Sequence, residues 1–158
     1  MVAYAAPSAS VRYGGFWIRF VAFVIDWIVL ALITWPIRAI LFAIMHVPHY
    51  DWGPYYGGHF APLFAAISAV FGANIVINWL YEALMTSSSW QATLGKKALN
   101  LRVTDEAGNR ISFARATGRH FAKYLSFATF FIGFFMIAFT ERNRGLHDIL
   151  AGTLVRKD

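Results

Sequence analysis

The chain has 158 residues, enough for one domain, and is 58% hydrophobic, 18% aromatic and only 14% charged. Soluble proteins run at roughly 45–50% apolar and roughly 25% charged, and a soluble domain of this size could not hide so much apolar area from water. Composition therefore excludes a soluble domain and points to an α-helical integral membrane protein. The net charge of +6 lies beside apolar runs, which points to anionic lipid headgroups and not to nucleic acid. With no cysteine, disulfide and thiolate chemistry are excluded.

Residues 1–13 read as a flexible N-terminal tail. They lack the basic n-region and small-residue cleavage site of a removed signal peptide. Residues 14–158 read as a single membrane domain. About twenty apolar residues cross a bilayer, so 16–35 suffices as a first transmembrane helix, with apolar character extending to about 45. Pro36 is where that helix would end or kink, and Arg38 can snorkel to the far headgroups. Residues 46–59 combine Pro48, Gly53, Pro54, Gly57 and Gly58 with Tyr50, Trp52, Tyr55 and Tyr56, the chemistry of an interfacial loop. A second helix is expected at about 62–86, closed by Ser87-Ser88-Ser89.

Leu99-Asn100-Leu101-Arg102-Val103-Thr104 alternates with strand periodicity. Asp105-Glu106-Ala107-Gly108-Asn109 is turn chemistry, and Ile111 and Phe113 could form a return strand, giving a small cytoplasmic β-hairpin over about 97–113. Arg115, Arg119 and Lys123 recur every four residues, opposite Phe113, Phe121 and Tyr124. This predicts a basic amphipathic interfacial helix at about 113–124, with Lys96, Lys97, Arg115, Arg119 and Lys123 on lipid headgroups. A third apolar segment, 125–139, would be ~22 Å long as a helix, short of a full crossing by itself. With Gly133 near its centre, it is either a span or a re-entrant hairpin. The tail, 141–158, is charged, and a re-entrant hairpin would let Thr153-Leu154-Val155 pair with the Leu99–Val103 stretch.

The loop 46–59 has no Lys or Arg, whereas Lys96, Lys97, Arg102, Arg110, Arg115, Arg119 and Lys123 follow the second helix. The positive-inside rule then predicts a multi-pass protein with a cytoplasmic N-terminus, and it favours a cytoplasmic tail.

Ionisable groups at membrane depth need a partner or a wet cavity. In the first helix Arg19 lies ~4–5 Å deep and Asp26 ~15 Å deep, on nearly the same face. In the second, Asn74, Asn78 and Glu82 form an i, i+4, i+8 stripe at depths of ~18, ~12 and ~6 Å. That registry sets Arg19 level with Glu82, and Asp26 between Asn78 and Asn74. Two readings follow: a structural polar seam that glues the helices, or a protonatable Asp26 on a transport path.

Four stretches in order carry a family resemblance. They are Gly14-Gly15-Phe16-Trp17-Ile18-Arg19-Phe20, Val24-Ile25-Asp26-Trp27, Thr93-Leu94-Gly95-Lys96-Lys97-Ala98-Leu99-Asn100-Leu101-Arg102-Val103, and Arg144-Gly145-Leu146-His147-Asp148-Ile149-Leu150-Ala151-Gly152-Thr153-Leu154-Val155. From Tyr13 to Val155 the chain resembles the RDD family of bacterial inner-membrane proteins, named for one arginine and two aspartates. The resemblance maps these to Arg19, Asp26 and Asp148 as a shared polar core. It implies small-solute transport, as cation/proton exchange in some members. It also implies an Arg19–Asp148 ion pair, which would require the tail on the same side as the start of the first helix.

Ala92-Thr93-Leu94-Gly95-Lys96 is not a P-loop: Trp90 stands where glycine is needed and Lys97 where Ser or Thr is needed. Thr93-Leu94-Gly95 reads as a turn. His46, His49, Asp51 and His59 match no standard metal spacing, and His147-Asp148 are neighbours that point apart on a helix. No catalytic residue, metal or cofactor is predicted. The functional expectation is ion or solute transport around Asp26, by a homo-oligomer. The alternative is a non-catalytic accessory subunit of a larger membrane complex.

Overall fold

The computed structural model describes residues 11–45, 60–129 and 132–158. The expected interfacial loop, with His46, His49, Asp51 and His59, lies outside the described residues, as does most of the N-terminal tail.

A two-residue strand, β1 (Arg12–Tyr13), leads into α1 (Phe16–Met45). The second long helix is α2 (Phe60–Ser87). Both are long and apolar enough to cross a membrane. Helix α1 runs through Pro36 without ending there; among apolar surroundings, local adjustments and hydroxyl side chains compensate for the amide that proline lacks. Just before the proline, the Thr34 hydroxyl donates to the Leu30 carbonyl at 2.7 Å.

The remaining elements form a cap at one end of the pair. Short α3 (Leu94–Ala98) and strand β2 (Leu101–Asp105) follow α2. Helix α4 (Phe113–Ala128) starts at Ser112, whose hydroxyl accepts the Arg115 amide. Then come α5 (Ile132–Phe139), a 3-10 turn at Glu141–Asn143, α6 (Leu146–Ala151) and β3 (Thr153–Lys157).

The three strands form one antiparallel sheet in the order β1-β3-β2, with Val103 opposite Val155 and Tyr13 opposite Arg156. The partner of the 101–105 strand is thus the C-terminal strand, and the local hairpin expectation is corrected. The turn after Asp105 does form, with the Asp105 carboxylate taking the Asn109 amide at 2.7 Å. Beyond it, however, Ile111 is buried in the core and Phe113 opens α4. The long-range pairing wins because it buries Leu101, Val103, Leu154 and Val155 together.

This sheet decides the path of the third apolar segment. The chain leaves β2 and returns to β3 beside it, so α4 and α5 lie within an excursion that begins and ends on one side. Their axes bend by 102°, and α5, with 8 residues, is only ~12 Å long. Gly133 permits the fold-back, since a Cβ there would fall 2.7 Å from the Ser126 hydroxyl. The apolar core, Ala22, Ala83, Leu101, Val103, Ile111, Ala116 and Val155, sits where the sheet meets α1, α2 and α4.

Candidate functional site: a buried ionic network

Two carboxylates organise the cap, and a third ties it to α1. Asp148, in the first turn of α6, has no solvent exposure. Its Oδ2 accepts Arg19 Nη1 at 2.5 Å and the Gly145 amide at 3.2 Å. Its Oδ1 accepts Arg119 Nε at 2.9 Å and Nη2 at 2.8 Å. Burial alone would raise its pKa, but the charges of Arg119 and Arg19 overcome that and hold Asp148 well below the usual carboxylate range.

Arg19 is fully engaged. Besides Asp148, its Nε donates to the Gly14 carbonyl at 2.7 Å and its Nη2 to the Asn143 carbonyl at 2.5 Å. Arg142 and Asn143 carry φ of 60° and 52°. This left-handed pair is costly for non-glycine residues, and such strain collects where geometry is functionally fixed; here it delivers a carbonyl to Arg19.

Arg119 bridges to the second acid, since its Nη1 lies 3.3 Å from Glu82 Oε1. Glu82 also takes Lys123 on Oε1 and His120 Nδ1 on Oε2 at 2.8 Å, while Lys96 Nζ stands 3.6 Å from Oε1. A continuous ionic chain therefore runs from Arg19 through Asp148, Arg119 and Glu82 to Lys96 and Lys123. Burial pushes the Lys96 ammonium down to about 7, with Glu82 pulling the other way. His147 packs against Phe134 and lies 3.6 Å from Asp148. Burial, only partly opposed by Asp148, pushes it down to about 3, so it is neutral.

Asp26 is separate from this chain. Its Oδ1 accepts Tyr81 Oη and the Gly95 amide, both at 2.7 Å, and its Oδ2 accepts Thr93 Oγ1 at 2.6 Å. Tyr81 Oη in turn accepts the Leu94 amide at 3.0 Å. The Thr93-Leu94-Gly95-Lys96 stretch thus has a physical role at each polar step: Thr93 and Gly95 bind Asp26, and Lys96 reaches towards Glu82. Gly95 must lack a side chain, because a Cβ would run into the Ala22 carbonyl of α1.

The structure brings Arg19 and Asp148 together, as the resemblance implied, but it does not reproduce the proposed facing of the α1 and α2 stripes. Glu82 turns to α3 and α4 and makes no pair with Arg19. Asn74 and Asn78 do not reach Asp26. Each donates to the carbonyl one turn back, Val70 at 2.7 Å and Asn74 at 2.8 Å, and Asn74 Oδ1 accepts Arg38. The headgroup assignment is corrected for Arg119, which is only 3% exposed between Asp148 and Glu82, and Lys96 and Lys123 also draw in towards Glu82. Helix α4 is amphipathic, but its outward face carries Phe113, Phe121, Tyr124 and Leu125. Arg115 and Lys97 remain exposed, with Lys97 Nζ 5.6 Å from the Trp90 ring centre. Tyr81, Thr93 and His120 are site residues that sequence reasoning missed. Tyr81 and Thr93 carry no charge to flag them, although Thr93 lies inside the quoted Thr93-Leu94-Gly95 stretch.

Two span-capable helices carrying a polar cap, with buried arginine–aspartate pairing at their junction, define a helical membrane protein. A family model for the RDD family matches residues 13–152, and the chain belongs to that family. It is 41% identical over 150 residues to the uncharacterized protein YxaI of Bacillus subtilis, covering 89% of this chain and 95% of the relative. It is 29% identical over 149 residues to the uncharacterized membrane protein YteJ of the same organism, covering 90% and 80%. No solved structure is a significant match.

Proposed function

We propose that this RDD protein is a non-catalytic membrane subunit that works packed against further transmembrane helices, either its own copies or those of a larger complex. The observation behind this is how bare its long helices are. Only 11% and 6% of their most apolar stretches are buried within the protein. Asn78 stands on an exposed face of α2, a polar group that a neighbouring helix satisfies better than lipid does. Asp26 and Asp148 are meanwhile saturated by internal donors, which suits a lock between cap and helices. Purification in mild detergent tests this: co-migration with a larger complex or a homo-oligomer supports it, and a monomer that alone transports ions sinks it.

The cap faces the cytoplasm in this reading, at the inner membrane of a bacterium. Every Lys and Arg except Arg38 belongs to the cap, the tail or the cap-side end of α1, which the positive-inside rule assigns to the cytoplasm. Because the chain has no cysteine, single cysteines replacing Arg12, Arg102 and Lys157 give clean labels. All three should react from the same, cytoplasmic face of sealed vesicles; reaction of position 157 from the opposite face to position 102 excludes this topology.

A second reading, cation/proton exchange, draws on the continuous ionic chain and on Lys96, which titrates near neutrality. It moves the exchanging centre from Asp26 to the Glu82–Lys96 pair. Proteoliposomes decide it: proton-coupled cation flux that Glu82→Gln abolishes in an inserted, folded protein supports exchange, and absence of flux in the wild type removes it.

A further inference from the structure

The Glu82 cluster holds more donors than its acceptors can use. Oε1 of Glu82 faces Lys123, Arg119 at 3.3 Å and Lys96 at 3.6 Å, and Oε2 takes His120. A carboxylate oxygen offers about two lone-pair sites. At 3.6 Å from Oε1, Lys96 Nζ lies beyond ordinary hydrogen-bond length, and no other acceptor meets it among the described residues. His120 Nε2 is buried without a partner. Across the connected network, Arg19, Arg119, Lys96 and Lys123 pair among the described residues with two carboxylates, Glu82 and Asp148, and even with Asp26, which also acts on Lys96, four cations face three acids. Positive charge in excess is thus held where burial makes it costly.

The surplus opens outwards through Lys123, whose side chain is 24% exposed, and less through Lys96. Glu82 lies about one turn from Ser87, the cap-side end of α2. If α2 spans, this is headgroup depth. Chemistry and depth together describe a place for a phosphate oxygen.

We propose that Lys96 and Lys123, with His120 at their side, form an anion site that takes a phosphate group, carried by an anionic phospholipid or supplied as inorganic phosphate. The phosphate oxygens accept the free Lys96 and Lys123 N–H groups and compensate the excess charge. The depressed Lys96 basicity agrees, since an arriving anion holds the ammonium protonated. The site differs from general attraction of a basic surface, because its lysines are drawn in around Glu82 while Lys97 and Arg115 remain outside.

The test uses the full chain in nanodiscs of phosphatidylcholine alone, of phosphatidylcholine with phosphatidylglycerol, and of phosphatidylcholine with added inorganic phosphate. Thermal stability and ligand retention in native mass spectrometry are read for the wild type, Lys96→Gln, Lys123→Gln and the surface control Lys97→Gln. One surface base is worth about five-fold in lipid affinity; the two cluster variants should lose more than about twenty-fold, and Lys97→Gln no more than the surface value. Stabilisation by phosphatidylglycerol alone identifies a lipid headgroup, and stabilisation by phosphate in plain phosphatidylcholine identifies the free anion. Equal losses in Lys97→Gln and the cluster variants overturn the site, as does a wild type that neither addition stabilises. Should the cluster variants fail to fold, the wild type decides alone: one retained phosphatidylglycerol or phosphate per chain supports the site, and none overturns it.

Discussion

Asp148→Asn is the sharpest probe of the lock. The substitution keeps size and shape but removes the charge that holds Arg19 at 2.5 Å and Arg119 at 2.8 and 2.9 Å. The asparagine amide must also present at least one donor to a ring of donors. Arg119 retains Glu82 at 3.3 Å, whereas Arg19 keeps only the Gly14 and Asn143 carbonyls. Removing one partner of a buried ion pair costs about 3–5 kcal/mol, a large share of the roughly 5–15 kcal/mol that holds a domain folded. The loss should appear as a lower unfolding midpoint in detergent, and as faster hydrogen exchange in β3 and α6 than in the long helices. Exchanging the charges, with Arg19→Asp and Asp148→Arg together, should not rescue, because the new arginine would face Arg119. A midpoint shift worth less than about 1 kcal/mol for Asp148→Asn, or full rescue by the exchange, would refute the lock, since either falls outside what breaking a buried pair costs.

Gly95→Ala should destabilise by about 1–3 kcal/mol, as overpacking does, because its Cβ meets the Ala22 carbonyl; limited proteolysis should then cut first around 88–100. Tyr81→Phe should cost about 1–2 kcal/mol by freeing the Leu94 amide and one bond to Asp26, read in the same unfolding assay. For pH, His147 is neutral in the fold with its pKa near 3, against 6.5 for an ordinary histidine. The unfolded chain therefore binds the proton first, and stability falls as pH drops from about 6.5 towards about 3, by at most about 1.4 kcal/mol per unit. His147→Gln should flatten that slope, and an unchanged slope would show that His147 is not buried neutral.

The resemblance and the charge rule pointed to Arg19–Asp148 and to a tail on the side where α1 begins, and the sheet agrees with both. Asn74, Asn78 and Glu82 have the i, i+4, i+8 spacing of one helix face, yet their partners are neither Asp26 nor Arg19. Periodicity tells which residues share a face; it says nothing of the azimuth at which two helices meet. That azimuth was set by α3, which wedges against α1 at Gly95 and draws Asp26 to Tyr81 and Thr93.

The sequence alone determined the membrane class, the two long helices and the turn after Asp105, because hydrophobic run length and turn chemistry are local quantities; the pairing of Arg19 with Asp148 was what the family resemblance implied. Only the tertiary structure decided that β2 pairs with β3, that the third apolar segment folds back, and that Lys96, Arg119 and Lys123 turn inward while Lys97 and Arg115 stay exposed. Each of these depends on contacts between residues far apart in the chain, where burying Val103 against Val155, and Arg119 between Asp148 and Glu82, outweighs what the local pattern prefers.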